Sequence, residues 1–154
     1  METLIIIIVI VVALFILGWY ISVSNNLNRA LVKIDEANSG IDVALTKRYD
    51  VLTKMMDVVK AYSKHEKETL FEVIKMRNNM TMEEKNEVNN KMTHNFEQIR
   101  LLVENYPELK SNINYIQLQT ILSDVEDQIA AARRTYNAHV TDYNTFIKIF
   151  IPYI

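Results

Sequence analysis

Cysteine is absent from this sequence of 154 residues, and glycine and proline occur only twice each. Without cysteine, the chain has no disulfide bond and no thiolate that could act as a nucleophile or a metal ligand. The two glycines, Gly18 and Gly40, cannot build a loop that cradles a phosphate, and no Gly-x-Ser-x-Gly motif occurs. Sheet-containing folds need many turns rich in glycine and proline, so this composition predicts a few long helices.

An excess of charge of either sign is also lacking. Lysine and arginine total 17 and aspartate and glutamate total 19, which gives a formal net charge of -2. This balance provides neither the basic surface that nucleic-acid binding requires nor an acidic tail. Hydrophobic residues make up 49% and charged residues 23%, which is typical of a globular chain. We therefore expect a folded protein with no nucleic-acid partner.

A long apolar run stands at the N-terminus. Residues 4–17 are apolar without interruption, and residues 18–21 extend the run without a charge. A helix from Leu4 to Ile21 would be about 27 Å long at ~1.5 Å per residue, close to the ~30 Å hydrocarbon thickness of a bilayer. Trp19 and Tyr20, just after Leu17, stand where an interfacial aromatic belt belongs. The sequence predicts a short tail over 1–3, a transmembrane anchor over 4–21 and a domain over 22–154.

The apolar run has two alternative interpretations. A cleaved signal peptide would begin with basic residues, whereas this chain begins Met-Glu-Thr, although residues 22–24, Ser-Val-Ser, form an acceptable cleavage site. A buried core helix would carry polar residues on one face, and this run has none. Arg29 and Lys33 follow the run and no cation precedes it, so the positive-inside rule places the N-terminus outside and the domain in the cytoplasm.

Apolar residues after the run recur at steps of three and four, which predicts helices with one core-facing seam each. We expect an all-α fold, in which the transmembrane helix is followed by an antiparallel bundle of three to four long helices. The first predicted seam is Ile34, Ile41, Leu45, Leu52, Met55, Val59, Tyr62, Val73, Met76 and Met80. The second is Val88, Met92, Phe96, Ile99, Val103 and Tyr106, and the third is Leu118, Leu122, Val125, Ile129, Ala132, Tyr136, His139, Tyr143 and Phe150.

Local signals predict where these helices bend, begin and end. Gly40 costs about 1 kcal/mol relative to alanine inside a helix, so a bend is expected near it. Thr81, followed three residues later by Glu84, predicts a capping box at the start of a new helix. Pro107 predicts the end of that helix followed by a single turn, and Asn112 predicts the cap of the last helix.

Polar residues interrupt the seams, and two interpretations of them are open. They are either partly exposed near helix ends, or they form a buried polar layer that fixes the register of the helices. Arg133 could pair with a seam acid such as Glu66, or it could grip an anionic lipid head group. The candidate buried polar network is Asn38, Arg48, Glu66, Glu126 and Arg133.

Three segments, taken with the N-terminal run, resemble the LemA family. They are IDVALTKRYD at 41–50, VVKAYSKHEKETL at 58–70 and IAAARRTYNAHVTDYNTFI at 129–147. The resemblance implies a bacterial, membrane-anchored protein with an antiparallel four-helix bundle and no assigned enzyme activity, and some relatives are associated with specialised bacterial membranes. The tryptophan that the family usually has within the segment matched by 37–40 is absent here. The family also usually continues past its Phe-x-Pro region, whereas this sequence ends at Ile154.

Candidate metal ligands are few. His65, His94 and His139 each precede an acidic residue by three positions, and two such pairs on facing helices could hold a metal. The Glu-x-x-His order of di-iron bundles does not occur, and the alternative is a set of surface pairs one turn apart. We predict no catalytic residue, no metal, no cofactor and no enzyme activity.

Three functions are compatible with the sequence. The first is a non-enzymatic scaffold that self-associates on the lipid bilayer and organises or shapes a bacterial cytoplasmic membrane, which the chain crosses once. The second is an adaptor for another membrane protein, such as a quality-control protease or a transporter, recognised through helix packing. The third is an enzyme with a metal buried in the bundle. Two Tyr-Asn pairs seven residues apart share one helix face and form the candidate interaction face: Tyr136, Asn137, Tyr143 and Asn144.

Overall fold

A computed structural model of the chain describes residues 1–62, 74–77 and 79–150. Within these ranges every regular element is a helix and none is a strand, which confirms the all-α prediction. Three helices are long and one is a single turn. In chain order they are α1 (Glu2–Tyr62), α2 (Met82–Asn105), α3 (Pro107–Lys110) and α4 (Ile113–Phe150).

Helix α1 contains both the apolar run and the first seam. Its N-terminal part has the length and composition of a membrane-spanning helix: an 18-residue window has a mean hydropathy of 3.2, and 0% of it is buried. The backbone stays α-helical through Gly40, where the sequence predicted a bend. A Cβ atom added at Gly40 would meet nothing within 4 Å, so no neighbouring side chain requires glycine there.

The predicted capping box at the start of α2 is confirmed. The hydroxyl of Thr81 accepts a hydrogen bond from the backbone N–H of Glu84 at 3.2 Å, and the Glu84 carboxylate accepts one from the Thr81 N–H at 2.8 Å. Each contact satisfies a backbone donor that the first helical turn leaves without a partner. The start of α2 is therefore set by local chemistry.

The other two end signals are confirmed as well. Helix α2 ends at Asn105, and Pro107 begins the single turn of α3. The side-chain oxygen of Asn112 accepts hydrogen bonds from the N–H groups of Asn114, at 2.9 Å, and Tyr115, at 3.2 Å. Asn112 thus caps the N-terminus of α4.

The described residues between 39 and 133 form a compact unit with a core of their own. The predicted seams line this core, which confirms their periodicity, and Phe96, Tyr106 and Leu118 pack against it while partly exposed. Val73 lies outside the described residues. The seam residues that are buried are Ile41, Leu45, Leu52, Met55, Val59, Met80, Val88, Met92, Ile99, Val103, Leu122, Val125 and Ile129.

The second compact unit comprises residues 1–38 and, among the described residues of α4, residues 134–150. Ala37 is buried there, and Ile34 is half-buried. On α4, the seam residues Tyr136, His139 and Tyr143 are also half-buried. The seam periodicity therefore continues into this unit with less complete burial.

Contacts within residues 39–133 give the relative directions of three helices. Asp42 contacts Lys85 and Arg48 contacts Thr93, so α1 and α2 run parallel. Lys47 contacts Gln128 while Arg48 contacts Glu126, so α4 runs antiparallel to α1. Within the described part of residues 39–133, α4 therefore runs opposite to both α1 and α2. The connection from α1 to α2 includes residues 63–73 and 78, which lie outside the described residues.

Candidate functional site

A layer of charged and polar side chains crosses the core between α1, α2 and α4, and we call it the charged layer. Its centre is Arg48, whose side chain is only 3% exposed. The guanidinium donates hydrogen bonds to the backbone oxygen of Asn89, at 3.0 Å, to the side-chain oxygen of the same residue, and to the Thr93 hydroxyl at 3.1 Å. It also forms an ion pair with Glu126 of α4. One arginine of α1 therefore contacts both other long helices.

A second buried cation belongs to the charged layer. Lys85 of α2 is 1% exposed, and its Nζ lies 2.8 Å from Oδ1 of Asp42 on α1. No hydrogen bond of good geometry reaches that oxygen in the described part of the chain. The contact is therefore an ion pair, in which charge rather than a directed hydrogen bond holds Lys85 to Asp42.

The burial of the cations is only partly compensated. Removal from water lowers the pKa of the Arg48 guanidinium from its ordinary value, and the negative charge and hydrogen bond of Glu126 oppose this shift. Arg48 stays charged near neutral pH. Its Nε is buried and has no hydrogen-bond partner among the described atoms. The two acids are more accessible, at 44% for Glu126 and 39% for Asp42.

Two polar contacts flank the charged layer. Arg133 of α4 donates a hydrogen bond to the side-chain oxygen of Asn86 on α2 at 3.0 Å, and Lys47 donates one to Gln128 at 3.2 Å. The Nε of Arg133 is buried without a described partner. Every cation of the charged layer and its flanks thus bridges two helices, which is an arrangement suited to fixing the register of helices.

The structure brings together two members of the predicted polar network, Arg48 and Glu126. Arg133 contacts Asn86. Its predicted partner Glu66 lies outside the described residues. Asn38 is half-buried in the other compact unit.

Sequence reasoning missed Lys85 and Asn95, which are both 1% exposed. A signal for Lys85 was present, because it stands three residues before Val88 and so continues the second seam toward the N-terminus. A lysine near the start of a helix ordinarily has a solvated side chain. The partner that accompanies its burial is Asp42 of α1, which is distant in the sequence.

The predicted membrane and interaction residues lie on exposed or half-exposed surfaces. Leu4 is 63%, Leu17 56%, Trp19 53% and Tyr20 67% exposed. In the candidate interaction face, Asn137 and Asn144 are exposed, and Tyr136 and Tyr143 are half-buried.

The histidine pairs do not converge in the described part of the chain. There, no three His, Asp or Glu side chains come close enough together to hold a metal ion. His94 is exposed and His139 is half-buried, while His65 lies outside the described residues.

The family profile that matches this chain is that of the LemA family, over residues 37–154. The chain belongs to the LemA family. The resemblance seen in the three sequence segments is thereby confirmed. The match includes the whole charged layer, and it begins after the N-terminal apolar run.

One relative in the LemA family is the "Protein LemA" of Metamycoplasma hominis. It is 33% identical over 138 residues, which cover 85% of this chain and 62% of the relative. The chain therefore spans about three fifths of the length of that LemA protein.

Proposed function

We propose that this LemA-family protein is anchored in the bacterial cytoplasmic membrane by residues 4–21 and works without catalysis, as a self-assembling scaffold that organises or shapes that membrane. The observation that carries the proposal is the exposure of the N-terminal part of α1. No part of its 18-residue apolar window lies in the protein interior. An apolar surface of this size left in water would cause association or aggregation, whereas a bilayer covers it fully.

The anchor is tested by flotation of the full-length protein with lipid vesicles after an alkaline carbonate wash. A membrane-spanning helix keeps the protein with the vesicles. A matched variant in which Ile7, Val11 and Leu14 are replaced by Asp should stay at the bottom of the gradient, because a charge at the centre of a span costs about 2.5–3.5 kcal/mol. Recovery of unmodified protein in the soluble fraction would contradict the anchor.

Self-assembly is supported by an exposed apolar surface on the first turns of α4. Ile113 is 69% exposed, and Ile116 and Ile121 are each 47% exposed. Beside them runs an open groove of about 370 Å³ between α1 and α4. The groove is lined by Lys54, Asp57, Val58, Asn114, Gln117, Leu118 and Ile121. Apolar patches bordered by polar residues are typical of protein–protein contacts.

The occupant of this surface that we propose is a second copy of the chain. A single cysteine at Ile116, in a chain that otherwise has none, should form a crosslink between copies in vesicles. A cysteine at exposed Asp127 is the matched control and should crosslink weakly. Sedimentation of the detergent-solubilised protein only as a monomer at all concentrations would contradict self-assembly.

The adaptor function is the alternative that the same exposed surface favours. In that case the Ile116 cysteine should crosslink in native membranes to one dominant protein other than this chain. Imaging of the purified protein in vesicles completes the test of the scaffold, since a scaffold that shapes membranes alters vesicle curvature and an adaptor alone does not.

A further inference from the structure

Immediately after the apolar run, α1 carries an open groove of about 550 Å³. It is lined by Asn25, Asn28, Arg29, Val32 and Lys33. The polar members are all exposed, and they are spaced at i, i+3, i+4 and i+8 along one α-helix. At 100° per residue this spacing places two amides and two cations on one side of α1.

The groove is a region of positive charge. No acidic residue occurs between Glu2 and Asp35, so Arg29 and Lys33 are the only charged residues in that interval. Among the described residues, neither cation forms an ion pair or a hydrogen bond. Both are therefore available to an external anion, in contrast to the buried and paired cations of the charged layer.

The distance of each group from the apolar run follows from the rise of the helix. At about 1.5 Å per residue, Asn25 lies about 6 Å, Arg29 about 12 Å and Lys33 about 18 Å beyond Ile21. A polar head-group layer extends roughly 5–8 Å beyond the hydrocarbon on each side. Helical side chains lean toward the N-terminus, so the guanidinium of Arg29 reaches back into that layer. The ammonium of Lys33 reaches back toward that layer and lies beyond its outer edge, within the Debye length of about 8 Å.

We infer that Arg29 and Lys33, together with Asn25 and Asn28, form a binding site for the phosphate group of an anionic phospholipid. The inference rests on the proposed membrane anchor. Arginine donates paired hydrogen bonds to phosphate oxygens, and lysine adds a point charge. The amides supply neutral donors nearer the hydrocarbon. Asp35 and Glu36 follow on the side away from the apolar run, where an anionic surface repels them least.

The test uses the full-length protein in nanodiscs of mixed phosphatidylglycerol and phosphatidylcholine. Native mass spectrometry of the released protein measures the ratio of the two bound lipids. Each cation near an anionic surface contributes about a fivefold increase in binding, so Arg29→Gln with Lys33→Gln should reduce the preference for phosphatidylglycerol by about 30-fold. Lys60→Gln with Lys110→Gln is the matched control, since it removes two exposed cations that belong neither to this groove, nor to the charged layer, nor to the proposed self-assembly surface, and it should leave the ratio unchanged.

Three results would overturn the site. In the first, the preference for phosphatidylglycerol survives in the Arg29 and Lys33 double variant. In the second, the preference falls equally in the control variant, which would indicate general charge attraction. Inorganic phosphate added to the detergent-solubilised protein could bind with the same dependence on Arg29 and Lys33, which would indicate a soluble anion instead of a lipid. Flotation separates this inference from the anchor. Vesicle-bound protein without a head-group preference contradicts the site alone, and unbound wild-type protein contradicts both.

Discussion

Neutralising the acid at the edge of the charged layer should destabilise the protein more than replacing the buried arginine that it faces. Glu126→Gln keeps the shape of the side chain and removes its charge, which leaves Arg48 buried at 3% exposure without its counter-ion. Breaking a fully buried pair costs about 3–5 kcal/mol, and an exposed pair contributes about 0.2–1 kcal/mol. Since Glu126 is 44% exposed, we expect a loss of about 1.5 kcal/mol, between these limits.

Arg48→Met should cost less. Methionine fills a similar volume and replaces a cation whose Nε has no described partner. The free-energy cost of removing that cation from water is then absent from the folded state. Asn89 and Thr93 lose a donor but are not fully buried, so water can replace it. We expect the free energy of unfolding to change by no more than about 1 kcal/mol. The double variant Arg48→Met with Glu126→Gln should then match Arg48→Met alone, because the charge that Glu126 compensates has gone.

The measurement is urea unfolding of the full-length protein in a mild detergent, followed by far-UV circular dichroism. The loss expected for Glu126→Gln corresponds to a decrease of about 5 °C in Tm for a domain of this size. Asp127→Asn is the control, since it removes the same charge from an exposed neighbouring position and should change stability by less than about 0.5 kcal/mol. A larger loss for Arg48→Met than for Glu126→Gln would refute the reasoning, as would additive losses in the double variant.

Three further predictions concern other parts of the fold. Gly40→Ala should raise the free energy of unfolding by about 1 kcal/mol, because Gly40 is helical with open space around it, and a decrease in Tm would show that glycine is required there. Thr81→Ala should lower it by about 1 kcal/mol through loss of the cap, whereas Thr120→Ala, at an exposed mid-helix position, should have little effect in the same urea titration. Burial raises the pKa of Tyr115 above its ordinary value. The stability that the neutral Tyr115 side chain contributes is therefore complete below the unfolded-state pKa near ~10, and it is lost as the pH rises through the folded-state pKa. Tyr115→Phe should therefore make the urea midpoint less sensitive to pH between about 9 and 11, and an unchanged slope would contradict this.

The parts of the fold that were predictable from the sequence depend on local chemistry or on helical period. The cap at Thr81 and the stop at Pro107 involve residues within one turn of each other, so their partners are visible in the sequence. The seams follow from the 3.6-residue period alone. Ile41 and Met92, both fully buried, were predicted in this way without knowledge of which helix they face.

The parts that were not predictable depend on which residues become neighbours across helices. Lys85 continues the second seam, but the partner of its buried charge is Asp42, 43 residues earlier in the chain, whose Oδ1 lies 2.8 Å from the Lys85 Nζ, and the sequence around Lys85 does not indicate that partner. The parallel direction of α1 and α2 is likewise a property of long-range contacts. The uninterrupted helix at Gly40 shows that a local signal can also mislead. Glycine inside a helix costs about 1 kcal/mol, which is small compared with the free energy gained by packing an apolar seam in the core.

The arrangement of charges explains why a core would keep buried ions that contribute little net stability. Along α1, Asp42 and Arg48 are six residues apart, or about 9 Å. Asp42 faces Lys85 of α2, and Arg48 faces Asn89 and Thr93 of α2. A slip of α2 by four residues would move Lys85 to within about 3 Å of the level of Arg48 along the axis. Two buried cations would then face each other, and Asp42 would lose its partner. A layer of leucine and methionine would tolerate the same slip, because apolar side chains one turn apart are nearly interchangeable. We therefore propose that the charges select one alignment of α1 and α2 by making its nearest competitor unfavourable.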